Sequence, residues 1–146
     1  MPGIRSSVVA AVMTLLVLTV PAGCSSDSSG KSVDVTLADY TITPTPASVA
    51  AGDVTFKVHN KGSFVHEFVV FKVASAADIP TQENGEANED AVPEADHMGE
   101  VEDIQPGKTE DLKLNLSAGK YVLLCNRVDG TIVHFQRGMH TEFSVT

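Results

Sequence analysis

The residues with the most distinctive chemistry in this 146-residue chain are one cysteine, two histidines and one methionine. A thiolate and two imidazoles in a trigonal arrangement, with a weak thioether on the axis, form a donor set suited to copper that cycles between Cu(I) and Cu(II). The chain offers this set as Cys125, then His134 and Met139 in the following loop, and His66 at the start of an earlier strand. Two strands that are distant in sequence can adjoin at one end of a β-sandwich, which would bring His66 to that loop.

The other three histidines are weaker candidates. His140 directly follows Met139, and neighbours on a strand point to opposite faces, so the two are not expected to reach the same ion. His97 and Met98 form a second soft pair within an acidic stretch, where we expect an exposed loop pair rather than an auxiliary copper site. Whether His140 or the His97-Met98 pair binds metal stays open. His59 ends a predicted strand and is expected at the surface.

The first 23 residues predict a secretory signal peptide. Arg5 provides its positive charge, Val8–Val20 is its apolar region, and small residues precede Cys24. The apolar run is shorter and more interrupted than the roughly 20 residues of a membrane span. The segment Val20–Cys24 resembles a bacterial lipobox, in which the cysteine becomes the lipid-modified N-terminus. We therefore expect secretion and a lipid anchor on the outer face of the cytoplasmic membrane, with an ordinary signal peptide as the alternative.

Cysteine usage favours a metal site. If Cys24 is lipidated, Cys125 has no partner within the chain, and a lone thiol in an oxidising compartment is best explained by metal binding. A dinuclear copper centre would need two cysteines in one short loop, and zinc spacing of the CxxC kind is absent from the sequence. No Ser-His-Asp arrangement can be argued from this sequence, and we expect no enzyme.

Apolar residues alternate with polar ones along most of the remaining chain, which predicts strands. The segment 64–73 is apolar on both faces, which is typical of a central strand. Seven or eight strands with turn signals and no amphipathic helix predict an all-β Greek-key sandwich. We expect a flexible linker at 24–31 and one domain at 32–146.

Acidic residues dominate the charge. Loss of Arg5 with the signal peptide leaves nine basic and 19 acidic residues, a net charge of −10, which disfavours nucleic acid as a partner. The stretch 74–107 holds ten of the acids and no Lys or Arg. We expect a solvated, partly mobile insertion around 76–100, with a helical turn near 86–90 and a short strand at 101–104. The alternative is a docking surface for a basic partner.

At the candidate ligands the chain resembles the cupredoxin family. The segment Asn60–Phe71 resembles the plastocyanin strand that carries the first histidine ligand, and Gly119–Cys125 resembles the strand that delivers the cysteine. The spacing Cys-x8-His-x4-Met matches the type 1 site of copper nitrite reductases. The resemblance implies one type 1 copper ion held by His66, Cys125, His134 and Met139. Many members have Asn after the first histidine, where it helps to pin the cysteine loop, whereas this chain has Glu67.

The resemblance also implies a role. It favours a one-electron carrier outside the cytoplasmic membrane that exchanges electrons with a redox protein partner. Two alternatives remain open: a copper chaperone, scavenger or sensor of the cell envelope, and a metal-free β-sandwich interaction domain.

Overall fold

The structure, a computed structural model, describes residues 30–146 and, near the N-terminus, Gly3. The predicted signal peptide at 1–23 and the predicted lipidation site Cys24 lie outside the described residues. No helix in the described part of the chain has the length and hydrophobicity to cross a membrane.

Residues 30–146 form eleven β-strands, three of them only two residues long. The eight longer strands agree with the predicted number of seven or eight. The eleven are β1 (Lys31–Ala38), β2 (Thr41–Thr45), β3 (Ser48–Val49), β4 (Gly52–Asn60), β5 (His66–Phe71), β6 (His97–Ile104), β7 (Thr109–Leu116), β8 (Gly119–Leu124), β9 (Val128–Asp129), β10 (Ile132–Val133) and β11 (His140–Val145).

The strands form two main sheets. One has the order β2-β1-β4-β7 and the other β3-β11-β8-β5-β6, while β9 and β10 form a separate hairpin. β1 pairs with β4 and β3 with β11 in parallel, and the other described pairs are antiparallel. The chain crosses between the main sheets after β2, β3, β4, β6 and β7, so strands adjacent in sequence often lie in different sheets. The all-β sandwich predicted from the alternating pattern is confirmed.

The alternating apolar residues meet between the two sheets. Phe56 of β4 packs against Phe68 of β5 and Phe143 of β11, with ring centroids 5.4 and 5.5 Å apart. All three side chains are buried, and each contributes about 1.5–3 kcal/mol of transfer free energy. This packing joins the two sheets through their facing side chains.

The strand predicted to be central is β5. It begins at His66 rather than at residue 64, and it lies between β8 and β6. Phe68 and Val70 face the core between the sheets, whereas Val69 and Phe71 face a second buried cluster. Both faces are buried, which explains why the sequence is apolar without alternation.

The acidic insertion covers the outer face of the five-stranded sheet. It contains short 3-10 helices at Ala76–Asp78, Glu89–Ala91 and Glu94–Asp96. Its apolar residues Ile79, Ala87 and Val92 are buried in the second cluster, which also includes strand residues of β5 and β8. The stretch is therefore packed in part, whereas the sequence suggested a solvated and partly mobile segment.

The strand after the insertion is longer than expected. β6 begins at His97 instead of residue 101, because Phe71 and Val70 of β5 pair with His97 and Gly99. Met98 has no partner in this register, which is an irregularity of the β-bulge kind. The extra residue interrupts the alternation of apolar and polar residues that would have predicted the start of the strand.

Candidate metal centre

The three strands at the middle of the larger sheet bring the predicted ligands together. His66 is the first residue of β5, and Cys125 directly follows β8, which pairs with β5. His134 and Met139 lie in the loop between β10 and β11, and β11 pairs with the other edge of β8. Because β5, β8 and β11 are adjacent, residues 59 positions apart in sequence meet at one end of the sandwich.

The donor atoms of three residues converge on one point. The Nδ1 atoms of His66 and His134 are 3.1 Å apart, and Cys125 Sγ lies 3.7 and 3.4 Å from them. A metal ion about 2.0–2.3 Å from nitrogen and sulfur donors holds those donors roughly 3–4 Å apart, as found here. All three side chains are fully buried. Two imidazoles and one thiol in this arrangement fit a type 1 copper ion.

Met139 completes the set from the same loop. Its amide donates to the His134 carbonyl at 3.1 Å, and its carbonyl accepts from the Cys125 amide at 3.0 Å. The side chain is fully buried in the same cluster as Cys125. Gly138, with φ of +88°, turns the chain just before Met139 in a conformation that favours glycine. The backbone therefore holds Met139 beside two of the converging residues.

Burial sets the protonation of the metal-free site. It raises the pKa of the Cys125 thiol to about 12. It also lowers the pKa of both His134 and His66, and the neighbouring His134 lowers that of His66 further. The metal-free site is thus uncharged near neutral pH, with a protonated thiol and neutral imidazoles. Metal binding to the thiolate must release a proton.

Glu67 supports the cysteine loop, although many cupredoxins have asparagine at this position. Its amide donates to Cys125 Sγ at 3.4 Å, and its Oε1 accepts from the Asn126 amide at 2.6 Å. Burial raises the pKa of this carboxyl to about 7. A glutamate can therefore hold the same peptide from the position after the first histidine.

Asn126 joins this loop to the acidic insertion. Its side chain accepts from the Ala87 amide at 2.7 Å and donates to the Ala87 carbonyl and Glu89 Oε1, each at 2.9 Å. The insertion is thereby attached to the residue that follows Cys125.

Two aromatic residues that sequence reasoning missed cover His134. The rings of Tyr40 and Phe64 lie 5.3 and 6.1 Å from the imidazole, and the two aromatic rings stack on each other at 6.1 Å. Phe64 stands two residues before His66, which was a usable signal. Tyr40 belongs to the turn between β1 and β2, and nothing in the local sequence links it to His134.

The remaining histidines lie apart from the converging donors. His140 packs its ring against Phe135 at 5.1 Å. His59 is half-buried and contacts Thr109 Oγ1 at 2.9 Å. His97 and Met98 are not the exposed loop pair that we expected, because β6 includes both and Met98 packs against the main core. His97 instead lies near Glu89 and Glu100, in a second group that could hold a metal ion.

Comparison with known proteins gives a family match and structural neighbours. A family model described as a cupredoxin-like domain matches residues 8–134. Dithionite-reduced auracyanin from Roseiflexus castenholzii has a TM-score of 0.60 at 19% identity, covering 80% of this chain and 98% of that one. Auracyanin A, a "blue" copper protein from Chloroflexus aurantiacus, has a TM-score of 0.54 at 20% identity, covering 79% and 99%. Rusticyanin from Thiobacillus ferrooxidans has a TM-score of 0.52 at 17% identity, and the match covers 81% of this chain and 79% of that one. At these identities the neighbours show the fold, and no curated protein sequence matches the chain.

Proposed function

The chain belongs to the cupredoxin-like domain family, and from this premise we propose that it is a one-electron carrier outside the cytoplasmic membrane. The observation that carries the proposal is the convergence of two imidazole Nδ1 atoms and one thiol sulfur within 3.1–3.7 Å in a fully buried pocket. The structural neighbour auracyanin A is itself described as a blue copper protein, which agrees with this role.

His66, Cys125, His134 and Met139 would hold the ion. Copper bound there would supply the one-electron Cu(I)/Cu(II) couple. The chain's own contribution is a donor set that does not need to move. Cys125 is fixed by the hydrogen bond from its amide to the Met139 carbonyl and by the Glu67 amide, which donates to its sulfur. His134 is fixed by its carbonyl, which accepts from the Arg137 and Met139 amides of the same loop. Fixed donors limit the rearrangement that accompanies electron transfer.

Electron exchange would proceed through Cys125 and His134. His134 is fully buried, but the partly exposed rings of Tyr40 and Phe64 lie between it and the surface. Because these two rings contact the His134 imidazole and are themselves partly exposed, we assign electron entry to this face.

The lipid anchor and the linker would keep the carrier near membrane redox partners. Support for this location comes from the apolar N-terminal segment and the lipobox-like residues that end at Cys24. Mass spectrometry of the mature protein tests the location, because a diacylglyceryl group on Cys24 is expected. A mature N-terminus at any other residue contradicts the anchor.

A basic redox protein is the partner that the acidic insertion would attract. Asp90 and Glu94 of the insertion are exposed, and the stretch 74–107 carries no compensating Lys or Arg. Replacing both with their amides should slow electron exchange with a basic partner at low salt, because steering fades beyond about 10 Å as salt rises. Glu110 and Asp111 on β7 are also exposed, and their amides provide a control with the same loss of charge. Equal rates for the two double variants would contradict docking at the insertion.

The visible and EPR spectra of the copper-loaded protein test the proposed function. An electron carrier should show an intense thiolate-to-Cu(II) band with narrow hyperfine splitting. A protein that stays colourless and binds only Cu(I) would contradict the carrier and favour copper handling. Absence of binding would favour the metal-free interaction domain.

A further inference from the structure

Each of the two buried histidines has an aspartate behind it, on the side away from the converging donors. Asp129 Oδ2 lies 2.9 Å from His134 Nε2, and Asp39 Oδ1 lies 3.6 Å from His66 Nε2. Both Nε2 atoms are inaccessible to solvent and have no hydrogen-bond partner among residues 30–146. Each carboxylate is therefore placed to accept a hydrogen bond from the Nε2 proton of its histidine.

We propose that Asp129 and Asp39 are positioning residues of the metal centre, which hold each histidine proton on Nε2 and leave Nδ1 free for the metal. The part of the proposal that concerns copper rests on the proposed function, whereas the placement of the protons does not. The consequence for the bound ion is electrostatic. A carboxylate on the far side of a ligand imidazole favours the more positive metal state, so the pair should stabilise Cu(II) relative to Cu(I).

The two imidazoles have a competing arrangement, which the carboxylates disfavour. A neutral imidazole carries one proton, and the hydrogen bond made by one nitrogen decides which nitrogen bears it. Since the two Nδ1 atoms are 3.1 Å apart, one histidine of the metal-free protein could donate from Nδ1 to the other. That arrangement would leave a buried carboxylate oxygen facing an unprotonated Nε2. The anion therefore favours protonation at Nε2.

The two aspartates should not contribute equally. Asp129 Oδ2 is buried without a hydrogen-bond partner among the described residues, and it lies 2.9 Å from the imidazole. The Asp39 carboxylate also has Ser63 as a partner. Its Oδ1 accepts from the Ser63 amide at 2.8 Å, and its Oδ2 accepts from the Ser63 hydroxyl at 2.6 Å. The larger effect should follow from the loss of Asp129.

Gly62 makes room for the Asp39 contact. A Cβ at this position would come within 2.8 Å of His66 Nε2 and closer still to Asp39 Oδ1. Any other residue would push the carboxylate and the imidazole apart. The close approach of these two groups is therefore built into the turn that precedes β5.

The experiment has a metal-free and a copper-loaded arm. Nitrogen chemical shifts of the imidazoles, measured by NMR on the metal-free wild-type protein, should show His134 protonated at Nε2. In Asp129→Ala the same measurement should show a mixture of the two forms. With copper, Asp129→Ala should shift the Cu(II)/Cu(I) equilibrium at least tenfold toward Cu(I), a rise in reduction potential of 59 mV or more. Asp39→Asn should cause a smaller shift in the same direction.

Asp34→Ala is the matched control. Asp34 Oδ1 lies 3.5 Å from His59 Nε2, so this variant also removes one aspartate from an aspartate–histidine pair, but the histidine is not among the converging donors. Equal potential shifts in Asp34→Ala and Asp129→Ala would overturn the proposal, because they would reflect net charge alone. A wild-type His134 protonated at Nδ1 would also overturn it, and this result needs no folded variant. If the protein bound no copper but kept the Nε2 proton, the proposed function would fail while the positioning role stood.

Discussion

Two groups of side chains in this protein combine histidine with other metal-binding residues, and they differ in burial and in donor chemistry. His66, Cys125 and His134 are fully buried, and their donor atoms are 3.1–3.7 Å apart. In the second group, the side chains of His97 and Glu100 are 28% and 37% exposed and 3.7 Å apart, with Glu89 nearby.

The difference shows how burial selects a site. Water can solvate the partly exposed carboxylates of the second group, whereas the buried nitrogens and sulfur of the first must find a partner inside the protein. The donor types differ as well, since thiolate and imidazole suit copper and carboxylates suit harder ions. We conclude that the fold prepares the first group for a metal, whereas the carboxylates of the second group can be solvated without one.

The substitution with the largest expected effect is Cys125→Ser. Serine cannot supply the soft anionic sulfur on which the thiolate-to-copper band depends, so we expect complete loss of that band. Circular dichroism should still show a folded β protein, because the hydroxyl is close in size to the thiol. A Cys125→Ser protein that remains blue would contradict the assignment of Cys125.

Comparison of two alanine variants of the same segment tests the role of His134. His134→Ala removes one of the converging nitrogens, whereas His140→Ala removes a ring that packs on Phe135. We expect His134→Ala to abolish or strongly change the copper EPR spectrum and His140→Ala to leave it nearly unchanged. If His140→Ala were the more damaging change, the two assignments would have to be exchanged.

Glu67 contacts the cysteine loop of the first group, and it should make the stability of the metal-free protein depend on pH. Its pKa is raised to about 7 by burial, from 4.5, so between these values the folded protein holds a proton that the unfolded chain does not. This stabilising contribution is complete below about pH 4.5 and is lost as the pH rises to about 7. The variant Glu67→Gln, which is always neutral, should match the wild type at about pH 4 and exceed its unfolding free energy by about 1–3 kcal/mol at pH 8.

Denaturant unfolding of both metal-free proteins at the two pH values measures this difference. The subtraction removes the contributions of the buried histidines, which are common to both chains. A constant difference between the two proteins across the range would contradict a neutral carboxyl at position 67.

The smallest effect is expected from the second group. His97→Ala removes the only nitrogen donor that Glu89 and Glu100 share in the described group. We expect one tightly bound copper ion per chain before and after the change, with the same visible spectrum. Loss of a second tightly bound equivalent in His97→Ala would show that the second group also holds a metal.

Local patterns in the sequence were enough to predict the fold class and the candidate donors. Alternation along β1 and β4 needs only the period of a strand, and Cys125, His134 and Met139 lie in one short stretch of chain whose spacing can be recognised. The strand position of His66 then followed from its apolar neighbours. Each of these inferences depends on residues that are close together in sequence.

The surroundings of the donors come from segments that are distant in sequence and meet only in the folded chain. Asp39 reaches His66 from the turn between β1 and β2, and Asn126 links the Cys125 loop to Ala87, 39 residues earlier. The insertion lies on the sheet because Ile79 and Val92 are buried there, although its composition indicated solvation. These contacts depend on how strands and loops that are distant in sequence pack together, and no local period encodes that packing.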